Sequence, residues 1–230
     1  VTASVITGGA LTDLNLSGNG SAPTFNTVAS NIVDTINISG DQSVSVIMDL
    51  SDVGGLAAAN ALTVTDTSTA GTSTITLGTA AGTADLTGVA ADAINLAIDN
   101  TGNALTLASG ANLTVSVNQT ATNTIDGSDA GAASNTATIT VNDGNATNSG
   151  TATLVGMTVT DIASLTIDGS VDDAGTTVNA LTASADNTSV TINAGANGLT
   201  LAGTSTLGTG SLTVNSSAAI AGGATALTAA

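Results

Sequence analysis

The chain has 230 residues and contains no lysine, arginine, histidine, cysteine, tryptophan or tyrosine, and its one aromatic side chain is Phe25. All 17 acidic residues are aspartates. General acid–base catalysis most often uses His, Glu, Lys, Tyr or Cys, and a nucleophilic Ser or Thr needs an adjacent base. Paired aspartates can cleave glycosides, but sugar-binding sites normally contain aromatic side chains. The composition therefore predicts that the protein is not an enzyme.

No positive side chain balances the carboxylates, so the formal net charge at pH 7 is −17. Binding to a nucleic-acid backbone depends on Lys and Arg, and anionic membrane surfaces attract the same cationic side chains. The charge therefore excludes both as partners. A run of about 18 apolar residues, which a transmembrane helix needs, is missing from the sequence. The chain begins at Val1 without a basic leader, which we expect of a mature product or a fragment.

The uncompensated charge predicts dissolved cations as counterions. Aspartate oxygens and backbone carbonyls suit Ca²⁺, and extracellular calcium modules bind it at about 10⁻⁴–10⁻³ M, whereas cytosolic Ca²⁺ is too scarce for such weak sites. The lack of cysteine indicates that the fold does not depend on disulfides. We therefore expect an extracellular protein at the cell surface, with Ca²⁺ as its bound cation.

Eight aspartates lie in turn-like segments where carboxylates a few residues apart could converge on one cation. These candidate metal ligands are Asp49, Asp52, Asp126, Asp129, Asp143, Asp168, Asp172 and Asp173. Aspartate is also a good turn former without any metal. For any single loop, both interpretations stay open.

Apolar and polar residues alternate along many short segments, including 44–48, 62–65, 113–117, 139–141 and 165–167. Such alternation is typical of half-buried β-strands, and Thr, Val and Ile fit a pleated surface. Turn-forming clusters of Gly, Asn, Asp and Ser separate the segments. The best helix candidate, 54–60, is one or two turns long. The sequence therefore predicts an all-β protein.

Small side chains favour a parallel β-solenoid, or β-helix-like fold, over a conventional sandwich. A solenoid core is narrow and can be filled by stacked Val, Ile, Leu and Ala, whereas sandwich cores usually contain large aromatics. Tandem β-sandwich domains are the alternative. We divide the chain into a β-rich repeat region at 1–117, an Asn/Gly/Ser/Thr-rich junction or loop at 118–152, and a second β-rich repeat region at 153–230. One continuous solenoid is also compatible with this division.

Residues 33–40, VDTINISG, are followed by 43–46, SVSV, and similar short units begin near 91 and 160. In these units and in its Thr/Ala/Ser/Gly-rich composition, the chain resembles the surface-layer proteins of Gram-negative bacteria. Many of those are exported by type I secretion and carry Ca²⁺-binding RTX repeats. The tandem RTX nonapeptide, G-G-x-G-x-D, is absent from this sequence, so that calcium motif is not carried over. The resemblance implies a lattice-forming part, with attachment to a cell-surface glycan or lipopolysaccharide through a region outside this chain.

Three functions remain open at this point. The first is a self-assembling extracellular structural protein, either a surface-layer lattice subunit or a filament subunit, which depends on Ca²⁺ and has copies of itself as partners. The second is a stalk or binding segment of a secreted adhesin. The third is an ice-binding β-solenoid, suggested by the Thr-x-Thr pairs at 63/65, 74/76, 138/140 and 158/160, although these pairs lack a regular period.

Overall fold

The computed structural model describes residues 6–7, 11–29, 33–48, 62–69, 72–77, 82–89, 93–96, 104–115, 122–128, 135–141, 152–154, 156–170, 175–183, 189–194, 198–207, 210–218, 220–222 and 227–229. Within these ranges the regular structure consists of 24 β-strands and no helix. This confirms the predicted all-β class. The helix candidate at 54–60 lies outside the described residues.

Most strands belong to two long parallel sheets of ten strands each, here called sheet A and sheet B. The strands of sheet A, in spatial order, are β1 Ile6–Thr7, β3 Thr24–Ala29, β5 Ser45–Met48, β7 Thr74–Leu77, β9 Ala93–Leu96, β11 Ala111–Val115, β13 Thr136–Val141, β16 Ser164–Gly169, β19 Ser189–Ala194 and β22 Ser211–Ser216. The strands of sheet B are β2 Asp13–Gly18, β4 Thr35–Gly40, β6 Leu62–Asp66, β8 Thr83–Gly88, β10 Ala104–Leu107, β12 Asn123–Gly127, β15 Met157–Thr160, β18 Leu181–Ala183, β21 Ser205–Leu207 and β24 Leu227–Ala229.

A third sheet, sheet C, has four strands and lies in the C-terminal part of the described chain. Its strands are β14 Ala152–Leu154, β17 Thr176–Asn179, β20 Leu199–Ala202 and β23 Ile220–Gly222. Up to β13 the described strands alternate between sheets A and B, so each coil has two described strands. From β14 onward the chain also passes through sheet C, so each coil has three.

Each strand pairs in parallel with the strand one coil before or after it, which makes the molecule a parallel β-solenoid. The preferred fold prediction is therefore confirmed, and the tandem β-sandwich alternative does not describe the structure, because sandwich sheets are antiparallel. Sheets A and B also continue through segment 118–152. Strand β12 in that segment pairs with β10 on one side and with β15 on the other.

The core consists of aliphatic side chains that stack from coil to coil. In sheet A the register aligns one inward position on successive strands, at Val46, Ile75, Ile94, Leu113, Ile139, Ile167 and Ile192. All of these side chains are buried. Phe25 pairs with Val46 at the N-terminal end of this ladder and is half-buried. A core built of one aliphatic layer per coil needs no large aromatic, which explains how this composition folds.

The strands keep their register although the coils differ in length. Asn15 and Asn37, on neighbouring coils of sheet B, are 22 residues apart, whereas Asp126 and Thr160, also on neighbouring coils, are 34 apart. Part of the extra length in the longer coil is strand β14, and the rest lies between strands. The strands therefore stack regularly although their segments are irregularly spaced in the sequence.

One corner of the solenoid is closely packed around Gly127, at the end of β12. The buried Asn135 side chain donates a hydrogen bond to the backbone carbonyl of Asp161, with an Nδ2–O distance of 2.9 Å. A Cβ atom added to Gly127 would collide with that carbonyl oxygen. Since a backbone atom cannot rotate away, glycine is required here by space.

Candidate functional site

The outward positions of sheet A form two ladders, which we call the hydroxyl face. By backbone register, one ladder contains Thr24, Ser45, Thr74, Ala93, Asn112, Thr138, Thr166, Thr191 and Thr213. The other contains Ile47, Thr76, Asn95, Thr114, Thr140, Asp168, Asn193 and Asn215. Rungs within a ladder are about 4.8 Å apart. Asp168 is the only charged residue in the strands of sheet A that the structure describes.

Sheet B carries more charge. One outward ladder, which we call the acid face, contains Asp13, Thr35, Thr63, Asp85, Thr106, Asp126 and Thr160 in register. Threonine always separates its aspartates. Asp85 and Asp126 are two rungs apart, about 10 Å, which is close to the screening length of physiological salt. The ladder therefore holds its carboxylates far enough apart to weaken their repulsion.

Several carboxylates accept hydrogen bonds from hydroxyl or backbone N–H groups. The Asp126 carboxylate accepts a bond of 2.6 Å from the Thr160 hydroxyl on the next coil. The Asp85 carboxylate accepts bonds from the hydroxyl of Thr87 at 2.7 Å and from its backbone N–H at 3.0 Å. Such bonds to ionised oxygens are stronger than neutral ones. Hydroxyl and amide donors thus stabilise these charges in a chain that has no cationic side chain.

The eight predicted metal ligands divide between described and undescribed residues. Asp126 lies in β12 of sheet B, and Asp168 lies in β16 of sheet A, where its carboxylate accepts a bond of 2.9 Å from the backbone N–H of Ser170. The two residues are therefore on different faces and do not form one site together. The other six lie outside the described residues: Asp49, Asp52, Asp129, Asp143, Asp172 and Asp173.

Within the described ranges, no three acidic, histidine or cysteine residues come together in a group that could hold a metal ion. Ca²⁺ as the bound cation therefore stays a prediction. Calcium needs six to eight oxygens, so a single strand carboxylate must be supplemented by loop carboxylates, carbonyls or water.

Two short segments, 124–128 and 166–170, share the sequence T-I-D-G-S. In both, the isoleucine is buried, the aspartate is the last outward residue of the strand, and a buried glycine follows it. The carboxylates differ in their partners, because Asp126 is bonded to the next coil and Asp168 to its own turn. The same pentapeptide therefore ends a strand in two different sheets, β12 of sheet B and β16 of sheet A, a relation that the sequence analysis did not use.

Sequence analysis also missed the acid face itself. Asp13 and Asp85 were not candidate ligands, since neither lies in a glycine-rich turn, yet register places both in one ladder with Asp126. In the sequence, each of these aspartates occupies an outward position of an alternating, strand-like segment. That pattern could have predicted the acid face.

No family model matches the chain, and neither a curated protein nor a solved structure matches it. Among the residues that the structure describes, no helix has the length and apolar character needed to cross a membrane.

Proposed function

We propose that the protein is a self-assembling extracellular structural protein, a surface-layer lattice or filament subunit whose assembly depends on Ca²⁺. The observation that carries this proposal is the open stack of parallel strands. Among the described pairings, strand β22 is the last strand of sheet A and pairs with β19, so a further parallel strand can be added at its other edge. Such edges are templates for pairing with another chain.

The side chains of the last coils support the same contact. Leu212 and Val214 of β22 are half-buried, whereas the residues in register with them on β19, Val190 and Ile192, are buried. Ile220 is 52% exposed. A further coil stacked on this end, from a second molecule, would cover these aliphatic side chains in the way that each internal coil covers its neighbour.

Charge explains the dependence on a cation. Each chain carries a net charge of −17, and no positive side chain is available to cross an interface between identical chains. Unpaired carboxylates are costly to bury. Divalent cations that bridge aspartate-rich loops, including those that contain Asp129, Asp172 and Asp173, remove this cost.

The test is light scattering and negative-stain microscopy of the purified chain in millimolar Ca²⁺, followed by titration with EGTA. We expect sheets or fibres that dissolve on chelation, and also near pH 4, where aspartate ligands protonate. Assemblies that survive without divalent ions would contradict cation bridging. A chain that stays monomeric under every condition would contradict self-assembly and favour the adhesin alternative.

Two matched double variants distinguish the loss of specific Ca²⁺ ligands from a general loss of negative charge. Asp126→Asn combined with Asp129→Asn removes two charges from one predicted calcium loop. Asp13→Asn combined with Asp85→Asn removes the same charge from the acid face, outside that loop. We expect only the first pair to raise the Ca²⁺ concentration needed for assembly.

Ordered water is a second candidate partner, favoured by the hydroxyl face. Thr138, Thr166, Thr191 and Thr213 stack on successive coils, and their hydroxyls make no hydrogen bond to another described residue. The Thr-x-Thr pairs 74/76 and 138/140 lie on sheet A, whereas 63/65 and 158/160 lie on sheet B, so the array consists of the stacked threonines and not of the pairs. An ice-recrystallisation assay tests this candidate, and growth of ice crystals at the rate seen in buffer would exclude it.

A further inference from the structure

We infer that the hydroxyl face of sheet A is the lateral contact between two copies of this chain, so that solenoids associate side by side as well as end to end. This inference rests on the proposed self-assembly. It names the surface that the assembly uses.

The distribution of charge between the sheets favours the hydroxyl face as the contact between copies. The described strands of sheet B contain four aspartates, Asp13, Asp66, Asp85 and Asp126, whereas those of sheet A contain only Asp168. A cationic partner would be attracted to the acid face. A second copy of a chain with a net charge of −17 is instead repelled by it, and can approach most closely where the strands carry least charge.

The size of the face is also suitable. Nine strands at about 4.8 Å give a length of about 43 Å, and two outward residues on a strand cover about 13 Å, so the face covers roughly 560 Å². The smallest specific interfaces bury about 600 Å² on each partner. Sheet C has no aspartate in its described strands, but it has only four of them and offers roughly 200 Å² by the same estimate.

The chemistry of the face fits a copy of itself. Side chains there are small, so two backbones can approach closely, and the unbonded threonine hydroxyls can donate to and accept from one another. Asn215 already donates to Asn193 along its ladder, with an Nδ2–Oδ1 distance of 2.9 Å. Because both copies have the same rise per coil, ladders of one can interdigitate with ladders of the other, as in stacked β-sheets.

A charge placed on either face provides the test. Thr191→Asp adds a carboxylate to the hydroxyl face on β19, the strand before the last of sheet A, and Thr182→Asp adds the same charge to sheet B, one strand earlier in the chain. In Ca²⁺ we expect Thr191→Asp to raise the concentration needed for assembly at least about tenfold, and Thr182→Asp less than twofold. Circular dichroism verifies that each variant is folded.

A second measurement does not depend on the effect of added charge. The chain has no cysteine, so Thr138→Cys in β13 introduces a single reactive thiol on the hydroxyl face. Thr124→Cys in β12 places one on sheet B as the control. We expect assembly to slow thiol modification at least about tenfold for Thr138→Cys and to leave Thr124→Cys unchanged.

The outcomes separate this inference from the proposed function. If the unmodified chain assembles but both aspartate variants assemble equally well, and both thiols stay equally reactive, the contact lies elsewhere and only this inference fails. If the unmodified chain does not assemble at all, both the proposed function and the inference are wrong. If it remains a monomer that inhibits ice recrystallisation, and Thr191→Asp abolishes that inhibition, the hydroxyl face binds ordered water instead.

Discussion

Replacing Ile75 by alanine should destabilise the solenoid far more than the same replacement at Ile47. The two residues lie on adjacent strands, β7 and β5 of sheet A, but on opposite faces. Ile75 is fully buried between Val46 and Ile94 in the core ladder, whereas Ile47 is 37% exposed on the hydroxyl face. Since residue type, sheet and substitution are the same, the pair isolates the contribution of burial.

The expected magnitudes follow from the atoms removed. Alanine lacks three carbons of isoleucine, and each buried carbon contributes about 0.8 kcal/mol, so Ile75→Ala loses about 2.4 kcal/mol of transfer free energy. The cavity that remains brings the total to about 3–4 kcal/mol, within the usual range for buried isoleucine. Ile47→Ala leaves no closed cavity and should cost about 1 kcal/mol.

Urea unfolding followed by far-UV circular dichroism measures both variants. Because coils contact only their neighbours, unfolding of a solenoid can occur in more than one step. Hydrogen exchange should therefore be measured as well. In strands β5 to β9, exchange should be faster in Ile75→Ala than in the unmodified chain. Equal losses of stability in the two variants would refute the assignment of inward and outward faces in sheet A.

Three further outcomes are expected. Gly127→Ala should lower the free energy of unfolding by about 3 kcal/mol, because the added Cβ overpacks the corner of the solenoid. The control is Gly20→Ala, where nothing lies near the Cβ position but φ is +74°. It should lower the free energy of unfolding by only about 1–2 kcal/mol. Thr160→Val, which removes the hydroxyl donor to Asp126, should cost about 1–2 kcal/mol by urea titration, and the same change at Thr158 should cost less. In peptide-level hydrogen exchange, β22 should exchange faster than β16, which is paired on both sides; equal protection would contradict the assigned strand order.

The strands and their stacking could be predicted because they depend on local alternation and side-chain size. Leu62, Thr63 and Val64 alternate in the sequence, and in β6 they are buried, exposed and buried. The shortage of aromatic residues also favoured a solenoid over a sandwich. A single aliphatic layer per coil fills a solenoid, and the buried ladder from Val46 to Ile192 has that form.

The partners of individual residues could not be predicted, because they depend on register between coils of unequal length. Asp126 and Asp168 occur in identical pentapeptides, yet one lies in sheet B and the other in sheet A. Nothing local distinguishes them. The sequence likewise gives no local sign of sheet C, whose strands resemble those of the other two sheets in composition.

The change from two strands per coil to three has a mechanical consequence. A flat, two-sided section has little depth perpendicular to its sheets, so it flexes easily in that direction and resists flexing in the plane of the sheets. A three-sided section distributes its material around the axis and is comparably rigid in all directions. Counting the strands that the structure describes, the part of the molecule before β14 is therefore its compliant portion and the part after it its stiff portion. Under load, the molecule would curve at the two-sided coils, in the direction perpendicular to sheets A and B.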